Sequence, residues 1–480
     1  MEKLNEILST VNDWVWGAPL IVLILFVGIY YTVRMGFLQV RFLPAALRFM
    51  FKDEEGEAGE VSSFGALCTS LSATIGTGNI VGVATAIGIL AGGPGALFWM
   101  WIAAFFGMAT KYTEGFLAIK YRNIDKDGHV LGGPFYYIEN GMGKKWKWLG
   151  KLFALFGGLC GLIGIGTFSQ VNGISTALNN VIDPQAAHTV TLFGTEYTWT
   201  TVITAIVLTV LVFLVVIGGL QRISSVSTVI VPFMAILYVV SILLIMVTNL
   251  DKLPAAIVEV VEGAFGIRPI AGGAFASIAI AMQKGIARGI FSNESGLGSA
   301  PIAAAAARSK DPVRQGLVSM TGTFFDTIVI CTMTGLAIVM MGSWKNGALE
   351  GAEVSINAFQ KGMYFLPEQI PAIILTVSLV FFAFTTILGW NYYGERCVEY
   401  LFGKRKAPVI IYRWLYILAV FIGPYMTVQA VWTIADIVNG LMAFPNLVAL
   451  IALSPVVIRE TNAYLKKYKA DKKEKKRLKE

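Results

Sequence analysis

Eleven apolar runs, each of a length that can cross a bilayer, most constrain what this sequence can fold into. They lie at 17–34, 64–90, 95–110, 149–171, 200–219, 226–248, 270–290, 316–342, 371–390, 408–426 and 430–457. A helix crosses the hydrocarbon core with roughly 20 apolar residues. Backbone polar groups find no water there, so they must bond within the protein, as they do in a helix. With 56% apolar and 14% charged residues, the sequence predicts an all-α polytopic membrane protein with eleven transmembrane helices.

The loops between these runs alternate in positive charge. If every run spans, one side of the membrane receives 33 of the 38 Lys and Arg residues. The opposite side receives only Lys3, Lys252, Arg268, Lys345 and Lys361. Cytoplasmic loops carry the excess of Lys and Arg. We therefore expect a multi-pass protein of the cell membrane with its N-terminus outside and its C-terminus in the cytoplasm.

The net charge of +8 comes mostly from a basic tail at 458–480. Residues 466–480 contain nine Lys or Arg and three acids. Such a segment is typical of attraction to anionic lipid at the cytoplasmic face, worth about 1 kcal/mol per basic residue, so no nucleic-acid partner is predicted. The four Cys and two His lack metal-ligand spacing, and no cofactor is predicted. Without a nucleophile, base or metal constellation, the chain is not expected to be an enzyme.

The run at 64–90 is interrupted by glycines and small polar residues between Thr74 and Gly82. A helix broken at this depth frees backbone groups that must face protein, water, ligand or ion. The alternative for such glycines is close packing between helices. The polar neighbours of Gly76 and Gly78 favour an unwound backbone.

The eleven runs can be divided into one leading helix, 17–34, and two sets of five, 64–248 and 270–457. Five spans per set give the two halves opposite orientations, as in an inverted repeat. The run at 270–290 then corresponds to 64–90, and it too contains glycines and small residues. Paired interrupted helices indicate the binding site of a secondary transporter. A channel would show a repeated filter or rings of like charge, which the sequence lacks.

Three stretches carry a family resemblance. The sequence reads GGPGALFWMWIAAFFG at 92–107, GTGNIVG at 76–82 and FSNESGLGSAP at 291–301. These resemble the alanine or glycine:cation symporter family of the amino acid-polyamine-cation superfamily. The resemblance implies sodium-coupled uptake of alanine and glycine by one transport domain with a leucine-transporter-type 5+5 inverted repeat and two broken helices. Proton-coupled transport of another small neutral amino acid is the alternative.

An amino-acid substrate needs partners for its carboxylate and its ammonium group. The half-helix after the first break is expected to begin near Gly78, and helix N-termini attract anions. We therefore assign the carboxylate to the amides of Thr77 and Gly78, with Asn79 nearby. The ammonium is assigned to carbonyls around Thr74 and, in a second break, to the segment Gly273, Ala274, Phe275, Ala276 and Ser277.

Two further side chains are candidates for the substrate site. Gln170 lies in a Gly-rich span expected to cross beside the first break, and it is either a substrate ligand or a hydrogen-bond partner between helices, worth about 1 kcal/mol. Phe275, beside Gly272 and Gly273, is either an apolar lid that limits side-chain size or an ordinary core aromatic.

Sodium is a hard cation that suits oxygen ligands. The leucine-transporter arrangement implied by the resemblance places carbonyls of Ser72 and Ile75 with hydroxyls of Thr385 and Thr386 around one sodium ion. The alternative for this threonine pair is hydrogen bonding back to carbonyls of its own helix.

Proton coupling would require a titratable group in the transport pathway. The intramembrane candidates are Asp326 and Asp436, since acids within the bilayer are functional suspects by default. Both are expected outside the segments that line the substrate, which favours sodium over protons.

Overall fold

The computed structural model describes residues 2–52, 59–192, 194–267, 274–403, 405–426 and 428–477. The first half of the sequence forms α1 (Glu2–Val15), α2 (Ala18–Arg34), α3 (Leu38–Arg41), α4 (Leu43–Phe49), α5 (Ser63–Thr74), α6 (Val83–Ile87), α7 (Gly95–Lys120), α8 (Pro134–Tyr137), α9 (Lys147–Ile163), α10 (Phe168–Ile182), α11 (Trp199–Val216) and α12 (Gly219–Thr248). The second half forms α13 (Leu253–Ala264), α14 (Ala274–Asn293), α15 (Ala300–Ala305), α16 (Pro312–Thr323), α17 (Thr332–Met340), α18 (Ala352–Gly362), α19 (Gln369–Phe402), α20 (Lys406–Ile422), α21 (Val428–Ala452) and α22 (Ser454–Arg477).

Short elements complete the described chain. Single π-helical segments occupy Gly78–Gly82, Ile138–Met142 and Phe324–Cys331, and 3-10 turns occupy Lys144–Trp146, Leu250–Lys252, Ser343–Lys345 and Gly423–Tyr425. Two antiparallel hairpins pair β1 (Asn123–Ile124) with β2 (Val130–Leu131) and β3 (Thr189–Leu192) with β4 (Thr195–Thr198). In the first hairpin Ile124 is opposite Val130, and in the second Val190 is opposite Tyr197.

Apolar side chains cover the outward faces of the helices. Along α11 and α12, Ile203, Val207, Phe233 and Val240 are exposed, as expected for surfaces that face hydrocarbon. Within the described residues, eight helical stretches are long and apolar enough to cross a membrane, or nine when the bent pair α5 and α6 counts as one span. The chain is therefore a multi-pass helical membrane protein, as predicted.

The predicted spans at 95–110 and 270–290 fall on α7 and α14, helices of 26 and 20 residues. Neither is among the stretches apolar enough to span, because polar and charged side chains lower their mean hydropathy. Both are nevertheless central in packing. A Cβ added at Gly285 of α14 would collide with the Ala96 carbonyl of α7, so the two backbones are in direct contact. The count of eleven spans and the 5+5 repeat stay predictions.

The first break lies where the sequence placed it. Helix α5 ends at Thr74, Ile75 is extended, and a π-helical segment from Gly78 leads into α6. The two half-helices are bent by 53°. Only small residues fit here: a Cβ at Gly76 would lie 2.5 Å from the Thr386 hydroxyl oxygen.

The predicted second break is wrong for Ala274 to Ser277, the part of it that the structure describes. Helix α14 is continuous from Ala274, so Ala274, Phe275, Ala276 and Ser277 form its first turns, while Gly273 lies outside the described residues. The backbone becomes irregular instead at 294–299, between α14 and α15. There Glu294, Gly296 and Gly298 have φ values of 56°, 88° and 84°. Positive φ favours glycine and ends a helix, whereas the alanines at the start of α14 favour one.

The predicted span at 149–171 is also divided. Helix α9 ends at Ile163 and α10 begins at Phe168, with an irregular segment at 164–167 between them. The Gly164 N–H donates to the Cys160 carbonyl at 3.1 Å and ends α9. A third interruption thus lies in the first half, and it frees the Ile165 carbonyl for a side-chain partner.

One end of the bundle, here called the α22 end, joins the half-helices α5 and α15. The Val61 N–H donates to the Ala306 carbonyl at 3.2 Å, and the Arg308 N–H donates back to the Val61 carbonyl at 2.8 Å. Arg122 also donates to the Ala305 and Ala307 carbonyls. These bonds close the structure at the α22 end.

The opposite end, here called the α18 end, contains α18 and the connection before it. The Ile89 N–H, just after α6, donates to the Trp344 carbonyl at 3.1 Å. A cavity opens at this end, between the α6 segment, α10, α14 and the loop at 346–354.

Candidate functional site

Side chains of Asn79, Gln170 and Thr386 bond to backbone groups freed at the first break. The Gly76 N–H donates to Asn79 Oδ1 at 2.9 Å, and the Thr77 N–H donates to Gln170 Oε1 at 3.1 Å. The Thr386 hydroxyl of α19 donates to the Ile75 carbonyl at 3.2 Å. All these groups are buried. The break is therefore a preformed, water-poor set of polar atoms with both donors and acceptors.

Gln170 connects two irregular segments. Its Oε1 accepts from Thr77, and its Nε2 donates to the Ile165 carbonyl at 3.0 Å. The helix-to-helix role that the sequence left open is thus present. The assignment of the substrate carboxylate to the Thr77 amide stays a prediction, and in this conformation Gln170 Oε1 already accepts from that N–H. A carboxylate oxygen bound there would have to displace Gln170 Oε1.

The four predicted sodium ligands are all buried, but they differ in whether they contact the first break. Ile75 and Thr386 meet, as stated above. The Thr385 hydroxyl instead donates to the Phe382 carbonyl of its own helix at 3.0 Å and lies 3.5 Å from Met234 Sδ. Ser72 is helical, and its hydroxyl donates to Thr69. The structure brings together half of the predicted set.

Asp326 contacts the first break, contrary to the prediction that it lies outside the site. Its carboxylate accepts from Asn79 Nδ2 at 2.7 Å and from the Ser292 and Thr327 hydroxyls at 2.9 and 2.7 Å. Asn79 therefore bridges the Gly76 amide to a fully buried acid. The signal available in the sequence was the intramembrane acid itself, while its neighbours follow from tertiary packing.

The other predicted substrate residues lie at different distances from the break. Thr74 donates its hydroxyl to carbonyls of its own helix. Gly78 packs against Phe291 and Ser292. A Cβ added at Gly78 would lie 3.5 Å from Ser292 Cα. Ser277 precedes Ser292 on α14 by 15 residues, or roughly 22 Å at 1.5 Å per residue. Ala274 to Ser277 are therefore not beside the break, and the side chains of Ala274, Phe275 and Ala276 lie outside the described part.

A cavity of about 660 Å³ leads from the α18 end toward the break. Its wall includes Gly173, and a Cβ added there would lie 2.7 Å from Thr77 Cγ2. Arg288 also lines it and pairs with Asp436, with both N–O distances 3.1 Å. Asp436, the second proton candidate, is thus the partner of a cation.

Comparison with known proteins decides the family. Residues 1–478 match the sodium:alanine symporter family. The chain belongs to this family. It is 54% identical to an uncharacterized transporter of Haemophilus influenzae, with 97% of each chain covered. It is 44% identical to the sodium/alanine symporter AgcS of Methanococcus maripaludis, with 96% of this chain and 97% of AgcS covered.

Among solved structures, this symporter-family chain is similar to MhsT, crystallised in complex with L-phenylalanine. The TM-score is 0.55 at 13% identity, covering 85% of this chain and 99% of MhsT. At this identity the likeness shows the fold alone, a leucine-transporter-type fold. The leucine-transporter-type fold implied by the sequence resemblance is confirmed, while the count of eleven helices and the 5+5 repeat stay predictions.

This symporter-family chain also contains a buried charged group that the sequence analysis missed. Lys111, one of the 33 basic residues assigned there to one side of the membrane, is 1% exposed and donates to the Asn293 carbonyl at 2.8 Å. Glu114 Oε1 accepts from the Gly296 and Gly298 amides at 3.2 and 3.0 Å. Helix α7 continues ten residues beyond the predicted end at 110, which carries these charges into the core.

The charged pair on α7 explains how the irregular segment at 294–299 stays buried. Its amides are held by the Glu114 carboxylate, and the last carbonyl of α14 is held by Lys111. Glu294 accepts from Trp390 Nε1 at 3.0 Å. Buried backbone groups need such partners, so in this family member α7 supports the second irregular segment.

Four charged side chains connect separate elements at the α22 end. His129 of the β1–β2 hairpin lies 2.9 Å from Glu60 and 2.8 Å from Glu399. Arg396 of α19 pairs with both acids at 3.0 and 2.7 Å. Hydrogen bonds to Glu399 and Glu60 raise the pKa of His129 to about 9. Burial alone would raise the pKa of Glu60, but His129 and Arg396 outweigh burial and hold it below its usual range.

Proposed function

We propose that this protein takes up alanine or glycine into the cell together with sodium, by alternating access. The observation that carries the proposal is the meeting of the Ile75 carbonyl, the Thr386 hydroxyl and the Thr77 amide within one buried backbone break. The first two supply oxygen for a hard cation, and the third supplies a donor for a carboxylate. AgcS, a relative over nearly the whole chain, is named a sodium/alanine symporter.

In the proposed complex, Thr77 and Gly78 bind the substrate carboxylate after Gln170 Oε1 moves away from the Thr77 amide. The Thr74 carbonyl accepts from the ammonium group, and Asn79 holds the backbone of the break by accepting from the Gly76 amide. Sodium is proposed to bind the Ser72 and Ile75 carbonyls with Thr385 and Thr386. The contact between Gly76 and Thr386 leaves little room, which supports a small substrate.

Sodium and substrate are proposed to stabilise the same break, so each increases the affinity of the other, as linkage requires. The cavity at the α18 end and the closed α22 end support an access route from the α18 side. With the N-terminus outside, as the loop charges predict, this is the extracellular side. Closing this cavity and separating α5 from α15 would then release both ligands into the cytoplasm.

The test is uptake of labelled alanine by proteoliposomes, with an inward sodium gradient compared with a proton gradient of equal size. We expect accumulation with sodium alone. Glycine should compete, and bulky neutral amino acids should compete poorly. Accumulation driven by protons without sodium would contradict the proposed coupling.

The second candidate function is proton-coupled uptake of a small neutral amino acid. The contact of the Asp326 carboxylate with Asn79, at 2.7 Å, favours it, because a titratable group at the break could transmit its charge state to the site. The same two gradients separate the candidates.

A further inference from the structure

We propose that Arg288 forms an outer docking site for the carboxylate of an α-amino acid, occupied before the substrate reaches the break. The inference rests on the proposed amino-acid transport. It concerns a different place, the floor of the cavity at the α18 end, and a different step, capture of the substrate.

The Arg288 guanidinium is held rigidly. Asp436 binds two of its nitrogens at 3.1 Å each. The rings of Phe291 and Trp432 lie 5.3 and 5.4 Å from its central carbon, within the range of cation–π contacts. A guanidinium has five N–H donors, so the pair with Asp436 leaves three for another acceptor. A fixed planar donor set suits a carboxylate better than a mobile lysine does.

Position and charge indicate that the remaining donors serve the cavity. Arg288 and Trp432 line it, and Arg288 is the only cation among the described lining residues. Its side chain is 21% exposed, against 12% for Asp436, so the cation is the more accessible member of the pair. Lys284, one helical turn earlier, adds a second positive charge near Asp436. The floor therefore presents a cation to the cavity.

The rim of the same cavity has the opposite sign. Glu350 and Glu353 line its outer part and are exposed. A cavity with an acidic rim and a basic floor orients a zwitterion, with the ammonium toward the rim and the carboxylate toward Arg288. An anion without an ammonium group would be repelled at the rim, and a cation without a carboxylate would gain nothing at the floor. The polarity matches a neutral α-amino acid.

The kinetic test compares alanine uptake by Arg288→Gln and Arg288→Lys variants with that of the wild type. Charge-assisted hydrogen bonds typically contribute enough to change affinity tenfold or more, so we expect Arg288→Gln to raise KM about tenfold with little change in the maximal rate. Arg288→Lys should have a smaller effect. The control is Lys361→Gln, which removes an exposed cation of α18 that does not line the cavity.

Removal of Arg288 alone leaves Asp436 without its partner, which can destabilise the fold. The double variant Arg288→Gln with Asp436→Asn removes both charges and should restore expression and thermal stability while KM stays high. A normal KM in either variant, with wild-type uptake intact, would overturn the docking site and leave the proposed function standing.

A binding test separates the docking site from the proposed transport function. Thr176 is exposed and lines the cavity, and the four native cysteines are buried, so Thr176→Cys can be labelled selectively by a charged maleimide. Without sodium, alanine and glycine should slow labelling, and Arg288→Gln should abolish this protection. Equal labelling rates with and without alanine or glycine would overturn the proposal, even if the wild type transports alanine. Protection without any alanine uptake would support the site and contradict the proposed function.

Discussion

At the residue scale, neighbouring threonines of α19 have different surroundings. Thr386 reaches the Ile75 carbonyl, whereas Thr385 contacts Met234 and its own helix. Both side chains are buried, so an exposure criterion does not distinguish them. The direction of each side chain around the helix decides which can contribute to an ion site at the break.

Thr386→Val should raise the sodium concentration for half-maximal uptake by roughly tenfold or more, since it removes one oxygen and leaves the Ile75 carbonyl without this donor. Thr385→Val should have a smaller effect. The measurement is alanine uptake against sodium concentration. Ser378→Ala, which removes a buried hydroxyl bonded to its own helix, is the control. A larger effect of Thr385→Val than of Thr386→Val would contradict the arrangement described here.

Asp326→Asn should weaken alanine uptake by roughly tenfold and leave it sodium-dependent. The new carboxamide has one oxygen that accepts and an NH₂ group that only donates. It therefore cannot accept all three hydrogen bonds from Asn79, Ser292 and Thr327, each worth about 1–3 kcal/mol when buried. Uptake at several pH values checks this. If the variant lost uptake and its pH dependence, and the wild type needed no sodium, proton coupling would replace the proposed mechanism.

At the scale of the elements, side chains connect two interruptions with the last turn of α14. The break after α5, the segment between α9 and α10, and the last turn of α14 are connected by Gln170 and by Asn79 with Asp326. The two interruptions lack regular backbone bonds, and the Gln170 side chain supplies a partner to each of them. The site is consequently sensitive to small changes in backbone spacing.

Gly76→Ala tests this sensitivity. The added Cβ would lie 2.5 Å from the Thr386 hydroxyl and 2.9 Å from Gln170 Oε1, so α10 or α19 must shift, at a cost of about 1–3 kcal/mol. We expect a strong loss of uptake with folded protein still recovered. Gly322→Ala, where the nearest atom is 3.9 Å away, should remain active. Normal uptake by Gly76→Ala would show that the break has more freedom than this conformation allows.

At the scale of the whole molecule, the two ends of the bundle have different structures. The α18 end is open, whereas the α22 end is closed by backbone bonds between the segments next to α5 and α15 and by the cluster of Glu60, His129, Arg396 and Glu399. These contacts must rearrange if the protein opens on that side.

The charged cluster at the α22 end predicts a pH dependence of stability. The folded-state pKa of His129 is raised to about 9, above the usual value of about 6.5. Its contribution is therefore fully present below about pH 6.5 and is lost as pH rises toward 9. Thermal unfolding in detergent between pH 6 and 9 should show this loss in the wild type. His129→Gln should be less stable at pH 6 and flatter across the range, and identical slopes for the two proteins would refute the role of His129.

Local sequence patterns determined the class of the protein, the first break and the family. Apolar runs specify membrane helices because the hydrocarbon core acts on each segment separately, and the glycines and polar residues near Gly76 mark the break directly. The resemblance carried by 76–82, 92–107 and 291–301 indicated the family. The tertiary structure alone decided which residues meet at the break. Asn79 and Asp326 are 247 positions apart, and no local period relates them. The burial of Lys111 and Glu114 was likewise hidden, since charge normally ends a predicted span, whereas here partners in distant elements compensate for the loss of water.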